Sequence, residues 1–90
     1  MICNTLDNLL KQMTTNDLYR ASLDRGRNGS PYDRGRADSY YDRSRAPHWY
    51  PEGTYKGTKI TAEQMTTEQI EEYESGYDWN EVYGDKKDWN

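Results

Sequence analysis

The sequence predicts a mostly α protein: a small helix–connector–helix domain preceded by a short N-terminal helical arm. Three observations carry that reading. Apolar residues recur at helical spacing in several stretches, helix-start signals stand ahead of them, and a segment rich in Pro, Gly and aromatic residues separates the last two. The expected division is an arm over residues 1–29 and a two-helix domain over residues 30–90.

The arm opens with Thr5 as a cap, followed by Leu6, Leu9, Leu10 and Met13 at i, i+3, i+4 and i+7. A second short helix is expected from Asn16, with Leu18, Tyr19 and Leu23 inward and Gly26 at its end. Asn28-Gly29-Ser30-Pro31 then punctuates the chain. Ser30 is placed as N-cap, with Pro31 at the first helical position and Asp33 in the first turn. The spacing predicts a helix from there to Ala46, stopped by Pro47. Ala37, Tyr40, Tyr41 and Ser44 share one face, and Arg34, Asp38, Asp42 and Arg45 share another. Residues 48–59 read as an ordered, irregular connection. Thr66-Thr67-Glu68-Gln69 fits a capping box for the last helix, with Thr61-Ala62-Glu63-Gln64 as an earlier candidate. That helix is expected over about 67–83, with Ile70, Tyr73 and Tyr77 on one face and Gly84 as its stop. Antiparallel packing of the last two helices would set Ala37, Tyr40 and Tyr41 against Ile70, Tyr73 and Tyr77, with Gly76 permitting close approach.

Composition limits the core. Leu, Ile, Val and Phe supply only nine of 90 residues, against nine Tyr and three Trp. A chain of this size buries roughly 60–65% of its unfolded surface. Its core is therefore expected to be built from Tyr and Trp, whose OH and NH groups need partners. Marginal stability follows, with dimerisation or partner binding completing the core; a homodimer is one expectation. Cys3 is the only cysteine, so no intrachain disulfide or thiolate metal site is expected. No signal peptide and no apolar run of membrane-spanning length is visible, which points to a cytoplasmic location.

Charge is divided unevenly: residues 1–51 balance at +2 and residues 52–90 at −6, and every arginine lies between Arg20 and Arg45. The motif recurs as Leu23-Asp24-Arg25-Gly26-Arg27, Tyr32-Asp33-Arg34-Gly35-Arg36 and Tyr41-Asp42-Arg43-Ser44-Arg45, at a spacing of nine. Nine residues is two and a half helical turns, which is poor geometry for a solenoid. Arg34, Arg36, Arg43 and Arg45, with Tyr40, Tyr41, His48 and Trp49, form a candidate surface for RNA or a protein partner, because guanidinium forks match phosphate and aromatic rings stack on bases. The bland alternative is intramolecular pairing with Asp38, Asp42 and the acidic last helix. Glu71, Glu74, Asp78, Glu81 and Asp85 lie within about a quarter-turn of one another, either as an acidic partner face or as the counter-surface to those arginines. His48 is the only histidine and stands at no recognisable nucleophile spacing. No catalytic residue, cofactor or metal site is expected.

Residues 32–51 and 70–89 carry a resemblance. The run Tyr32-Asp33-Arg34-Gly35-Arg36-Ala37-Asp38-Ser39-Tyr40-Tyr41, with Arg43, Pro47-His48-Trp49 and Gly53, resembles small uncharacterised proteins of tailed bacteriophages, as does Glu72-Tyr73-Glu74-Ser75-Gly76-Tyr77, closed by Gly84-Asp85 and Lys87-Asp88-Trp89. These in turn are loosely similar to ribosome modulation factor. The likeness lies in Arg34-Gly35, Ala37, Arg43, Arg45 and Pro47, and in the aromatic–Gly–aromatic order of Tyr73, Gly76 and Tyr77. The resemblance implies two packed helices and, for the ribosome-binding family, contact with the small ribosomal subunit and silencing of translation. That family is strongly basic, whereas this chain is acidic, and the first 30 residues have no counterpart in it. Two functional expectations stand: a phage-type regulatory protein that sterically inhibits a host macromolecular complex, or an RNA- or ribosome-binding modulator.

Overall fold

The computed structural model describes residues 15–88. The arm helix expected around Thr5 to Met13 lies outside them. The described chain is mostly helical, in the order α1 (Thr15–Ser22), α2 (Pro31–Tyr40), β1 (His48–Trp49), β2 (Ile60–Thr61), a 3-10 turn (Ala62–Gln64) and α3 (Thr67–Tyr83). The two short strands pair antiparallel, His48 with Thr61 and Trp49 with Ile60.

Local chemistry starts α2 and α3 where the sequence places them. Ser30 Oγ accepts from the Asp33 amide at 3.3 Å, and Pro31 opens α2. Asp33 Oδ2 in turn accepts from the Gly29 amide at 2.9 Å. At α3, Thr66 and Gln69 form a reciprocal capping box, and Thr61 and Gln64 do the same for the 3-10 turn. Gly84 ends α3 with φ −91°, so it is not there for left-handed backbone. It leaves room for Asn80, whose side-chain amide a Cβ at Gly84 would strike.

Helix α2 stops at Tyr40, six residues earlier than the spacing predicts. Asp42 adopts φ +59°, and the amides of Arg43 and Asp42 bond the carbonyls of Asp38 (2.8 Å) and Ser39 (3.0 Å). That is a Schellman ending with aspartate at the left-handed position, a role usually filled by glycine. Pro47 therefore stops nothing. α1 likewise closes at Ser22 and not at Gly26, with Ser22 Oγ donating to the Tyr19 carbonyl.

The buried face of α2 is the opposite of the expected one. Arg34, Gly35, Asp38 and Ser39 are buried, while Tyr40 and Tyr41 are 36% and 37% exposed. The cause is the closeness of α2 to α3. A Cβ on Gly35 would overlap the Tyr73 carbonyl oxygen, and one on Gly76 would overlap that of Tyr32. Where two backbones meet this closely only small side chains fit between them, and the large rings are turned outward.

Helices α2 and α3 run in the same direction, not antiparallel. Gln69, at the start of α3, donates to Ser22 Oγ at 2.8 Å, just ahead of α2. Glu72 pairs with Arg25 at 2.8 Å. At the other end Asn80 and Glu81 both bond Ser39 Oγ, and the Lys87 amide reaches the Tyr40 carbonyl at 2.7 Å. The chain after α2 turns at Asp42 and descends along α3. Tyr77 OH donates to the Arg43 carbonyl, Arg45 pairs with Glu74 and Asp78, and the Ala46 amide donates to Tyr73 OH at 3.1 Å. The hairpin then returns the chain to the level at which α3 begins. Short connections join antiparallel neighbours; residues 41–66 are long enough to build this return.

The core is aromatic, as composition requires: Trp49, Tyr50 and Tyr73 are 1%, 8% and 0% exposed. Trp49 forms one wall of an apolar pocket of about 190 Å³ with Leu18, Tyr19 and Ile60. Residues 22–29 are tied to this unit through Ser22–Gln69, Arg25–Glu72, Arg27 to the Pro51 carbonyl, and Tyr50 to the Gly29 carbonyl. The three copies of the repeated motif take three conformations: a turn, a helix, and a helix end with extended chain.

The helix contact is testable by adding single methyl groups. Gly35→Ala and Gly76→Ala are each expected to lose about 2 kcal/mol or more, the scale of overpacking against backbone. In a domain of this size that lowers the melting temperature by roughly 10 °C. Gly26→Ala, whose Cβ would meet only Asp24 Oδ1 at 3.6 Å, is expected to stay within about ±0.5 kcal/mol. Thermal melts by circular dichroism read all three.

Candidate functional site

A polar cluster fills the space between the C-terminal half of α2 and the aromatic connection. Its centre is Asp38, 4% exposed. Asp38 Oδ2 accepts from Tyr73 OH, and Oδ1 receives Arg43 at 3.3 Å and Arg34 at 3.8 Å. Arg34, also 4% exposed, donates Nε to His48 Nε2 at 3.2 Å and Nη2 to Tyr55 OH at 3.3 Å. Its guanidinium lies 5.0 Å from the Tyr55 ring centre and 5.7 Å from that of Tyr50. Buried charge is costly unless paired and hydrogen-bonded, and both conditions are met here.

The same network fixes His48. Nδ1 lies 2.7 Å from the Ala46 carbonyl, so it carries the proton, and Nε2 is left as the acceptor for Arg34. Burial, with the nearby Arg34 and Lys59 charges adding to it, holds its pKa below the usual 6.5, against the Ala46 hydrogen bond and Asp38. Tyr73 is pushed upward by burial and by its bond to the Asp38 carboxylate. Tyr55 is lowered by the hydrogen bond from Arg43. Both nitrogens of His48 are occupied, which makes the ring an orienting member of the network. Toward solvent the cluster opens into a cleft of about 200 Å³, rimmed by Arg43, Ser44, Tyr55 and Lys59.

The remaining residues singled out from the sequence divide into engaged and displayed. Arg45 spans Glu74 and Asp78 and lies 4.3 Å over the Tyr77 ring. Arg43 covers Tyr41 at 4.8 Å in addition to its Asp38 bond. Trp49 is core, too buried to stack on a base, and His48 and Arg34 are equally withdrawn. On the acidic side, Glu74 and Asp78 are taken by Arg45, and Glu81 by Lys86 and Ser39. The backbone carbonyl of Asp85 accepts from Asn80, and Glu71 stays exposed. Much of the acidic stripe is thus the counter-surface to cations of the same fold.

What is displayed is aromatic. Tyr40 and Tyr41 stand edge to face at 4.9 Å beside a depression of about 290 Å³, shared with Arg36 and floored by Asn80. Arg36 lies 4.5 Å over Trp79, which is 5.7 Å from Tyr83, and these last two rings are 40% and 73% exposed. Val82, 70% exposed, is on the same side of α3. Sequence reasoning misses Trp79, Val82 and Tyr83 as functional candidates. Their i, i+3, i+4 spacing, rotated away from Tyr73 and Tyr77, is the signal that could have found them.

Comparison with known protein families, curated proteins and solved structures gives no match for this chain. Among the described residues no group of three His, Cys, Asp or Glu is arranged to hold a metal ion. No helix among them is long and apolar enough to cross a membrane.

Two predictions arise from this geometry. The unfolded chain binds a proton on His48 near pH 6.5, before the folded one does. The stability owed to neutral His48 is therefore complete above that pH and is lost as pH falls below it. The melting temperature should drop between about pH 7.5 and about pH 5.5, and His48→Gln should flatten that slope. Equal slopes in the two proteins would remove His48 from the network's titration. Secondly, the exposed pairs of Arg25 and Arg45 are screened by salt. Each is worth about 1 kcal/mol or less. Raising sodium chloride should lower the melting temperature by roughly 5 °C, and Arg45→Gln should respond less.

Proposed function

We propose that this chain is a small, non-enzymatic binding protein of the phage-regulatory type. In this reading it acts in the host cytoplasm, docking on a protein of a host macromolecular complex and obstructing it sterically. The observation that carries the reading is the disposition of its arginines and aromatics. Arg25, Arg34, Arg43 and Arg45 are engaged with acidic or aromatic groups of their own fold, so most of the arginine cluster is not presented as an open basic track for a nucleic-acid backbone. In contrast Tyr40, Tyr41, Trp79 and Tyr83 are displayed around Arg36. Tyr, Trp and Arg are the residues that dominate protein–protein hot spots. A chain at net −4 is also repelled by nucleic acid at long range.

Capture from bacterial lysate by tagged protein, with and without ribonuclease, tests this reading. A host protein retained through ribonuclease, and reduced about tenfold or more by Tyr41→Ala or Trp79→Ala, is the expected result. Glu71→Gln, about 12 Å along the axis of α3 from Trp79, should leave capture unchanged. Ribosomal material lost on ribonuclease treatment would favour the RNA- or ribosome-binding reading and overturn the one proposed.

A further inference from the structure

The cleft over the buried cluster has a chemistry that the docking reading does not use. Among the described residues, its floor and rim hold Arg34, Arg43 and Lys59 as cations and Asp38 as the only carboxylate. Asp38 sits at the back, both oxygens already taken by Tyr73, Arg43 and Arg34. With His48 neutral, the cleft carries a formal excess of two positive charges. Lys59 forms no ion pair among the described residues, yet its charge is felt at His48. Arg34 uses Nε and Nη2 within the protein, and Nη1 makes no hydrogen bond among the described residues. Donors therefore approach the cleft from α2, from the chain after it and from the end of the hairpin.

Tyr55 marks where an acceptor belongs. Its phenolic oxygen takes bonds from Arg34 Nη2 at 3.3 Å and Arg43 Nη1 at 3.4 Å, bridging two guanidinium groups. The residue is 65% exposed, and its backbone is held at φ +63°, a conformation uncommon for a large side chain. A weak neutral acceptor thus occupies, from the solvent side, the point on which two guanidinium groups converge.

We infer that this cleft, walled by Arg34, Arg43 and Lys59, is a binding site for a phosphate dianion, either free or as a monoester, which takes the place of the Tyr55 hydroxyl. Charge selects the class. A phosphate monoester carries about −1.5 to −2 at neutral pH, matching the excess of two, whereas a carboxylate or a nucleic-acid diester carries one. Size agrees. The cleft, at about 200 Å³, is smaller than the roughly 300–1,000 Å³ of sites for whole drug-sized ligands. It accommodates a headgroup, with any organic portion lying outward along Tyr55. Fixed guanidinium donors suit phosphate oxygens.

The test is a titration of the ¹⁵N-labelled full chain with inorganic phosphate and with phenyl phosphate, using sodium chloride and sodium acetate at matched ionic strength as controls. Saturable shifts of the Arg43, Tyr55 and Lys59 amides are expected with both phosphates, and binding about tenfold weaker with acetate. Arg43→Gln and Lys59→Gln, both at exposed side chains, should each weaken binding about tenfold, while a thermal melt confirms that they fold. Tyr55→Phe removes the competing acceptor and should strengthen binding about threefold. Equal affinity for the two phosphates assigns the site to the free ion; tighter phenyl phosphate assigns it to a monoester. Shifts reproduced by chloride, or affinity unchanged in both glutamine variants, would overturn the inference. Arg43 also lies 4.8 Å over the Tyr41 ring, so Lys59→Gln and Tyr55→Phe, which leave the Tyr40–Trp79 face intact, are the variants that keep failure here separate from the docking reading.

Discussion

The backbones of α2 and α3 meet at Gly35 and Gly76, each of which lacks the carbon that would strike a carbonyl of the other helix, and the rest of the molecule is arranged around that approach. With no room for large side chains on the touching faces, α2 turns Arg34, Asp38 and Ser39 inward and its tyrosines outward. Inward polar groups must find partners. Tyr73, His48, Asn80 and Gln69 supply them across or beside the helix pair. One steric circumstance thus yields a core whose specificity is largely polar, and a surface whose apolar content is high.

The division of charge along the chain has a similarly structural meaning. The arginine-rich middle and the acidic last helix belong to one folded unit, and Arg25, Arg43 and Arg45 each reach a carboxylate at least five positions away in sequence. Exposed pairs of this kind contribute little individually. Their greater effect is on arrangement, since the return segment after α2 is laid along α3 by Arg45 together with Tyr73 and Tyr77. Arg45 spans Glu74 and Asp78 of the acidic stripe and Arg25 reaches Glu72 beside it, whereas Arg34 and Arg43 pair with Asp38 of α2.

Features governed by neighbouring residues are legible in the sequence. Ser30 with Pro31, Thr66 with Gln69, and Thr61 with Gln64 all cap where local spacing puts them, because a cap needs only the next three residues. The aromatic core follows from composition. Features set by distant contacts are not legible. Asp42 ends α2 in a role that glycine usually fills, so nothing before Pro47 reads as a stop. An apolar-inside rule turns Tyr40 and Tyr41 inward, and the glycine contact overrides it. The direction of α3 is not visible in its periodicity, although the length of residues 41–66 argues against a simple helical hairpin. Of the candidate site, Arg36, Tyr40 and Tyr41 remain on display, while Arg34, His48 and Trp49 go into the interior. Periodicity does not separate these two groups.

Two helices that run side by side in the same sense also align their peptide dipoles, which an antiparallel pair would cancel. Both amino-terminal ends, at Ser30 and Thr66, face one end of the molecule, and both carbonyl ends face the other. Some charges near them offset this: Asp33 and Glu68 stand in the first turns, and Lys86 Nζ bonds the Ser39 carbonyl at the end of α2 at 3.0 Å, whereas Glu81 in the last turn of α3 adds to it. An acid in a first turn typically contributes about 0.3–1 kcal/mol. The two ends of the helix pair are therefore electrically unlike by construction of the backbone itself, and the acids of both first turns moderate a polarity that the fold imposes.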